Sequence, residues 1–446
     1  MSRLPLSLTA VAVLALVVQA RAEVPDELHP EIGECVELAD GKFSLTLESR
    51  KQNYRPEETA TADSDIYSPK SVNIHPDGSK YYVNSLEGAK TVVYQTATNK
   101  KLKVIRHTYG AHDSLLWSPA SGYFEFTHYT ENLNEFYGKP VESVFTHQGR
   151  YLWIPFYRRS YDINAQDPSA LAVIDTEKDE VVRLMETGPL PKMIAVSPDN
   201  HYLAVTHWGD NTVGIIDVSC DSIADWHYVA CVEIGRKLHL NYSLTEPVNR
   251  DVNSGYCLRG TAFTPDGRYL LVGCMSRGGG IAVVDMNDFS WLGIVGGMRS
   301  NVRHLIIRNG FLYLSANASG YIQRVPLEVF LEAARTMQDR QARVDSWVEC
   351  QVGKGARTIE MTPDGCYVVA ACNFSSSLWL VDADSMRVVA TIEADSYPVG
   401  LDISKDGRYI YTTSQGRSGR GGNCVDIYRL DAQPPVPPSN DSDLQD

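Results

Sequence analysis

The sequence predicts an all-β fold: a seven-bladed β-propeller of four-stranded antiparallel blades, with the ring closed by an N-terminal strand. Three observations lead there. A turn recurs seven times, as Pro76-Asp77-Gly78, His147-Gln148-Gly149, Pro198-Asp199-Asn200, Pro265-Asp266-Gly267, Arg308-Asn309-Gly310, Pro363-Asp364-Gly365 and Lys405-Asp406-Gly407. In its commonest form Pro presets φ, Asp bonds its own backbone and Gly accepts φ > 0, so each copy reads as a hairpin turn. Each turn lies between two short apolar runs, the second usually opening with Tyr, as in Tyr269-Leu270-Leu271-Val272. The shortest intervals, Gly267 to Gly310 and Gly365 to Gly407, match the ~40–45 residues of one propeller blade. Longer intervals are the same unit with insertions.

Taken in order, residues 1–22 read as a signal peptide. Arg3 precedes an apolar stretch from Leu4 to Val18, and Ala20-Arg21-Ala22 offers a small-x-small cleavage site after Ala22. That stretch is too short and interrupted to span a bilayer, and no other segment is long enough. A periplasmic or secreted protein is therefore expected. Residues 23–432 form a single propeller, with blades starting near 70, 141, 192, 259, 303, 357 and 399. Blade three has four strands, near 193–197, 201–207, 212–218 and 228–234. Blade seven has only three, and residues 43–48 are expected to supply the fourth, leaving no open edge. Residues 433–446 read as a disordered Pro-rich tail.

Within a blade, the repeated turn joins the first and second strands at the bottom of the disc. The second-to-third loops and the blade connections then face the top. Insertions at 107–140, 155–169 and 236–256 fall on that upper face. The segment 327–343 reads instead as a helix beneath the disc, because Leu327, Phe330, Leu331, Ala334 and Met337 recur at helical spacing after Pro326. A packed cap is its expected role.

Nine cysteines in an exported chain leave at least one unpaired within a monomer. Cys220 and Cys231 flank an outer hairpin and are the leading disulfide pair, with Cys35 and Cys424 a second pairing at ring closure. The absence of Cys-x-x-Cys-His excludes covalent c-type haem. His107, His112, Asp113 and His128 cluster in the first insertion but lack metal-ligand spacing. No metal or cofactor is expected.

Residues 202–217 run Tyr-Leu-Ala-Val-Thr-His-Trp-Gly-Asp-Asn-Thr-Val-Gly-Ile-Ile-Asp, and Ile281-Ala282-Val283-Val284-Asp285 and Leu378-Trp379-Leu380-Val381-Asp382 echo the second half. This pattern resembles the repeat of the YVTN-type, lactonase-like propellers of exported bacterial proteins, over residues 71–430. The resemblance implies the fold. It leaves function open, because that superfamily includes lactone-acting enzymes, cofactor-bearing subunits and binding proteins.

Aligned on the start of the innermost strand, the seven repeats are led by Lys70, Val141, Lys192, Arg259, Arg303, Arg357 and Val399. Five are basic in a chain of net charge −14, so composition does not explain them. Converging from separate blades, they would form a basic funnel suited to a carboxylate, phosphate or sulfate. Arg158, Arg159, Arg236, Lys237, Arg277, Arg417 and Arg420 add charge from upper loops, and His207 ends a strand at the same face. The ligand-binding candidates are Lys192, Arg259, Arg303, Arg357, Arg158, Arg159, His207 and Arg417. The alternative is internal pairing with Glu142, Asp162, Asp210, Glu360 or Asp402.

Two functions follow. One is a binding or scaffold protein of the cell envelope, holding an anionic small molecule or acidic glycan and engaging another envelope protein. The other is a lactonase-like enzyme with His304 and Glu142 as catalytic residues beside the arginines. The acidic net charge argues against nucleic-acid binding.

Overall fold

The structure, a computed structural model, describes residues 30–53, 62–128, 136–159, 162, 164–239, 248–276, 278–417 and 421–433. The expected signal peptide, residues 1–22, and the expected tail, apart from Gln433, lie outside the described residues. Seven sheets, antiparallel but for one added strand, form seven blades, and the inner strands pack on one another in sequence from blade two through blade seven to blade one. Blade one comprises Pro69–Ile74, Lys80–Ser85, Lys90–Gln95 and Lys101–Arg106. Blade three comprises Pro191–Val196, Tyr202–His207, Thr212–Asp217 and His227–Glu233. Blade two is the irregular one, with an inner strand of only Val144–Thr146.

The bottom turns are held more tightly than Pro-Asp-Gly alone would manage. A Ser or Thr placed two residues before the turn's Asp braces four of them. Thr264 Oγ1 donates to Asp266 Oδ1 at 2.5 Å while the same oxygen accepts the Arg268 amide at 3.1 Å, with Gly267 at φ +70°. Thr362, Ser197 and Ser404 repeat the bond at 2.5 Å. Above the turns, apolar side chains interlock between blades. Ile66, Val72, Tyr81 and Tyr94 of blade one meet Tyr411 and Val425 of blade seven.

The ring closes as expected, by a longer strand. Phe43–Gln52 pairs along its length with Cys424–Ala432, from Phe43 opposite Ala432 to Gln52 opposite Cys424. Cys35–Glu37 adds a fifth strand outside it. A buried ionic knot pins the seam: Arg50 Nε donates to Asp426 Oδ1 at 2.6 Å, and Arg50 Nη1 lies 3.8 Å from Asp395 Oδ2. Asp395 also accepts the Gly422 amide at 2.8 Å and the Gln52 amide group at 3.3 Å.

The helix is shorter than its apolar spacing predicts. It spans Leu327–Arg335, burying Leu327, Phe330, Leu331 and Ala334, and its first amide bonds Gly310 O in the bottom turn of blade five at 2.9 Å. It is a packed cap beneath the disc. Asp339 and Arg340 adopt φ of 49° and 59°, and Gln341–Arg343 then joins blade four as a fifth strand, parallel to Ser290–Gly296. Edge pairing overrides the helical spacing here. Gly297, at φ +106°, permits the approach, since a Cβ there would overlap the Val344 carbonyl oxygen. Gly297→Ala is expected to prise this strand away, costing about 1–3 kcal/mol in a urea melt and opening the segment to protease.

All nine cysteines are free thiols, which corrects both disulfide expectations. Cys231 stands opposite Gly214 in mid-strand, with its thiol pushed up to about 11 by burial and by Asp210, whereas Cys220 lies exposed in the loop below. Cys35 is level with Thr46 and Cys424 with Gln52, well apart along the same strand.

Candidate functional site

Each of the five basic leading residues sits at a register break between the first and second strands of its blade. The break falls between Pro69 and Ser71, Pro191 and Met193, Leu258 and Thr261, Val302 and His304, and Ala356 and Ile359. A β-bulge inserts one residue and re-aims its side chain. Here the inserted residues are Lys70, Lys192, Arg259, Arg303 and Arg357, gathered at the upper end of the central channel. Val399 occupies the same break in blade seven.

These charges are close and poorly solvated. Lys70 and Arg259 are 5% exposed, Arg357 7% and Lys192 9%. Burial, then Arg357, holds Lys70 well below its ordinary range; burial, then Arg259, does the same to Lys192. Arg259 is pushed down to about 10 by burial and by Arg357. Burial also depresses Arg303, with Arg259 and Arg357 adding to it. Side chains from five blades therefore feel one another's charge.

Two carboxylates enter the cluster. Glu142 Oε1 accepts from Lys70 Nζ at 2.8 Å and lies 3.7 Å from Arg259 Nη2. Although burial opposes ionisation, Lys70 and Arg259 keep its carboxyl below the ordinary range. Asp251 comes from the insertion between blades three and four. It takes Arg158 Nη1 at 3.0 Å and the Tyr157 hydroxyl, and lies 3.9 Å from Lys192 Nζ. Sequence reasoning missed it, because that insertion lies outside the repeat frame. Aromatic faces complete the wall: Lys192 Nζ lies 3.7 Å from the Tyr157 ring centre and 5.1 Å from that of Trp208, and Arg357 lies 5.8 Å from that of Tyr397.

Arg303 and Arg357 are left over. Among the described residues neither has a carboxylate within ion-pair distance, although Glu142 acts on both from farther off and the Tyr397 hydroxyl bonds Arg357, and the buried Nε atom of each lacks a hydrogen-bond partner. Arg303 Nη1 meets only the weak acceptor Met275 Sδ, at 3.3 Å. Trp208 Nε1 is a third buried donor without a partner. Of the other acids considered as internal partners, Asp162 accepts the amides of Gln166 and Asp167, and Asp210 accepts from Thr212. Glu360 lies 3.6 Å from Arg308, and Asp402 caps the Ile74 amide at 2.6 Å. None of these four neutralises the cluster.

Beneath the cations the channel widens into a cavity of about 560 Å³, lined by Glu142, His304, Met193, Ile306, Glu360 and Asp402 among others. The Ile359 amide donates to His304 Nδ1 at 3.4 Å, so the neutral ring carries its proton on Nε2. Burial pushes this imidazole down to about 4, with Glu142 only partly offsetting it.

Two expected ligand contacts are elsewhere. His207 is fully buried inside blade three. Its Nε2 accepts from Thr187 Oγ1 at 2.8 Å and the Gly188 amide at 3.2 Å; its Nδ1 donates to Thr212 Oγ1 at 2.7 Å, which donates to Asp210 at 2.7 Å. Tyr228 extends this relay by donating to Thr187. His107 occupies a similar relay in blade one, between Thr91 and Tyr109. His207→Ala is expected to cost about 1–3 kcal/mol for the hydroxyls left unpaired, seen by chemical denaturation, with the cation cluster unchanged.

Arg159 is the other displaced residue. Tyr151–Arg159 continues past its blade and pairs with Phe136–Pro140 of the first insertion. The Arg159 guanidinium therefore sits 4.1 Å from the Phe126 ring centre and donates to Thr127 O at 2.9 Å. Arg158 stays at the mouth through Asp251. Arg417 is exposed and lies 5.7 Å from the Phe374 ring centre, next to Tyr397. Arg277 and Arg420 lie outside the described residues. No group of three or more His, Cys, Asp or Glu side chains suited to a metal occurs among the described residues, and no described helix is long and apolar enough to cross a membrane.

The chain is thus a seven-bladed propeller with a cationic throat. Among solved structures it is similar to the Kuenenia stuttgartiensis hydrazine synthase, with a TM-score of 0.57 and 13% identity over 84% of this chain and 99% of that one. It is also similar to the β-propeller domain of Myceliophteria thermophila Cps50 (Swd1), with a TM-score of 0.54 and 12% identity over 81% of this chain and 96% of that one. At such identity these likenesses show the fold alone. No protein-family model matches the chain, and no curated protein matches its sequence.

Proposed function

We propose that this protein is a binding propeller of the cell envelope that holds an anionic small molecule or acidic glycan at its cationic throat. The observation carrying this reading is the pair Arg303, half-buried, and Arg357, buried, which stand beside three further cations with no carboxylate of their own among the described residues. Like charges crowded out of water raise the free energy of the empty site, and an anion that bonds them relieves that cost. Guanidinium forks suit planar or tetrahedral oxyanions, and Tyr157, Trp208 and Tyr397 offer stacking faces for a sugar ring. The YVTN-like repeat and the leader-like residues 1–22 support an exported location.

The hydrolase reading rests on Glu142 and His304 lining one channel. It fares less well on chemistry. Glu142 is ionised but engaged by two cations, and His304 presents a proton rather than a lone pair, so neither is placed as a general base.

A thermal-shift screen of acidic sugars, phosphorylated compounds and lactones tests the proposal. Stabilisation is expected from anionic compounds, lost on Arg259→Ala and kept on Arg268→Ala beneath the disc. If no compound stabilises the protein, or if Arg259→Ala leaves the shifts intact, the throat is not the binding site.

A further inference from the structure

Among the described residues, the throat holds six cations, namely Lys70, Lys192, Arg158, Arg259, Arg303 and Arg357, against the two carboxylates of Glu142 and Asp251. Each carboxylate is already shared: Glu142 serves Lys70 and Arg259, and Asp251 serves Arg158 and Lys192. What is unmet is therefore not a diffuse excess. It is two specific guanidinium groups, on the neighbouring inner strands Val302–Arg308 and Ala356–Met361. Each has a buried Nε–H without an acceptor, and Arg357 is 7% exposed. One singly charged group, a carboxylate for instance, carries one charge and cannot neutralise both forks.

We propose that the throat selects a multiply charged oxyanion, a ligand with at least two negative charges of which Arg303 and Arg357 each bind one. This rests on the reading of the throat as an anion site and adds the charge number to it. Among acidic sugars it favours linked uronic acids over a single one. Among small molecules it favours di- and tricarboxylates or phosphate over monocarboxylates. Trp208 Nε1 provides a neutral donor beside Lys192 for a hydroxyl or carbonyl of the same ligand. The acceptor-poor wall works against cationic or neutral solutes, because every unpartnered polar atom named here is a donor.

The experiment is isothermal titration of the full chain at constant ionic strength, with acetate against succinate and citrate, glucuronate against digalacturonate, and inorganic phosphate as a separate arm. The carboxylate and phosphate arms distinguish the two sources of charge. At least tenfold tighter binding is expected for a multiply charged anion than for its singly charged counterpart. Arg303→Gln and Arg357→Gln are each expected to abolish that preference, weakening the multiply charged anion at least tenfold and the monoanion less than threefold. Circular dichroism checks that both variants fold. Monoanions binding within threefold of their multiply charged counterparts would overturn the charge requirement while leaving the anion site standing. No binding by any of them would overturn both.

Discussion

Arg50→Ala is expected to destabilise the protein by about 3–5 kcal/mol, the range for removing one partner from a buried ion pair. Arg50 is 5% exposed, and Asp426 and Asp395 are fully buried. The guanidinium bonds both oxygens of Asp426, at 2.6 and 3.3 Å, and also donates to Pro30 O at 3.1 Å. Burial already raises the Asp426 carboxyl, and Arg50 is the main influence lowering it. Without Arg50 that carboxyl rises further, so the folded variant holds a proton that the unfolded chain releases. The sign follows from linkage: where the folded state binds more protons, stability falls as pH rises. The deficit against wild type is therefore expected to grow from about pH 5 to pH 8. Guanidinium melts at both pH values measure it, and a deficit under 1 kcal/mol at pH 8, or one that shrinks as pH rises, would remove the seam from this role.

Arg357→Met is expected to act oppositely on stability and on binding. In the free protein Arg357 helps depress Lys70, Arg259 and Arg303, and its Nε lacks a partner. Methionine keeps the unbranched stem against Tyr397 while discarding the charge. Replacing buried ionic groups by packed apolar ones is often neutral or gains about 1–4 kcal/mol, and here the ion replaced has no carboxylate partner among the described residues. The variant is therefore expected to melt higher than wild type without ligand and to lose most of the thermal shift given by multiply charged anions. A variant that melts lower and still responds to anions would show that Arg357 is a structural residue.

The fold was legible because its signal is repeated and local. A Pro-Asp-Gly-type turn needs no distant contact to form, and the recurrence of its seven variants sets the blade count. The five basic residues were legible for the same reason: aligning repeats places them at one position, and the structure adds the bulge that turns them inward. Asp251 was not, since an insertion has no repeat to align with and its approach to Arg158 is a tertiary accident of loop packing. His207 misled because a polar residue ending a strand at the upper face resembles a rim residue; the direction of its side chain, into the blade, depends on Thr187 and Thr212 being ready to receive it. Arg159 misled because its strand outruns the blade and pairs with an insertion. The end of the helix was hidden too, because an open strand edge competed for Gln341–Arg343 and the sequence pattern carries no record of that edge.

The seam also orders events in time. Arg50 and Asp426 are separated by 376 positions in the chain, so Phe43–Gln52 is synthesised early and waits, with its inner edge unpaired, for nearly the whole polypeptide to emerge. A nascent chain halted before Asp426 keeps an orphan strand and a missing counter-charge, which marks it as unfinished to any chaperone or protease that samples exposed β-edges.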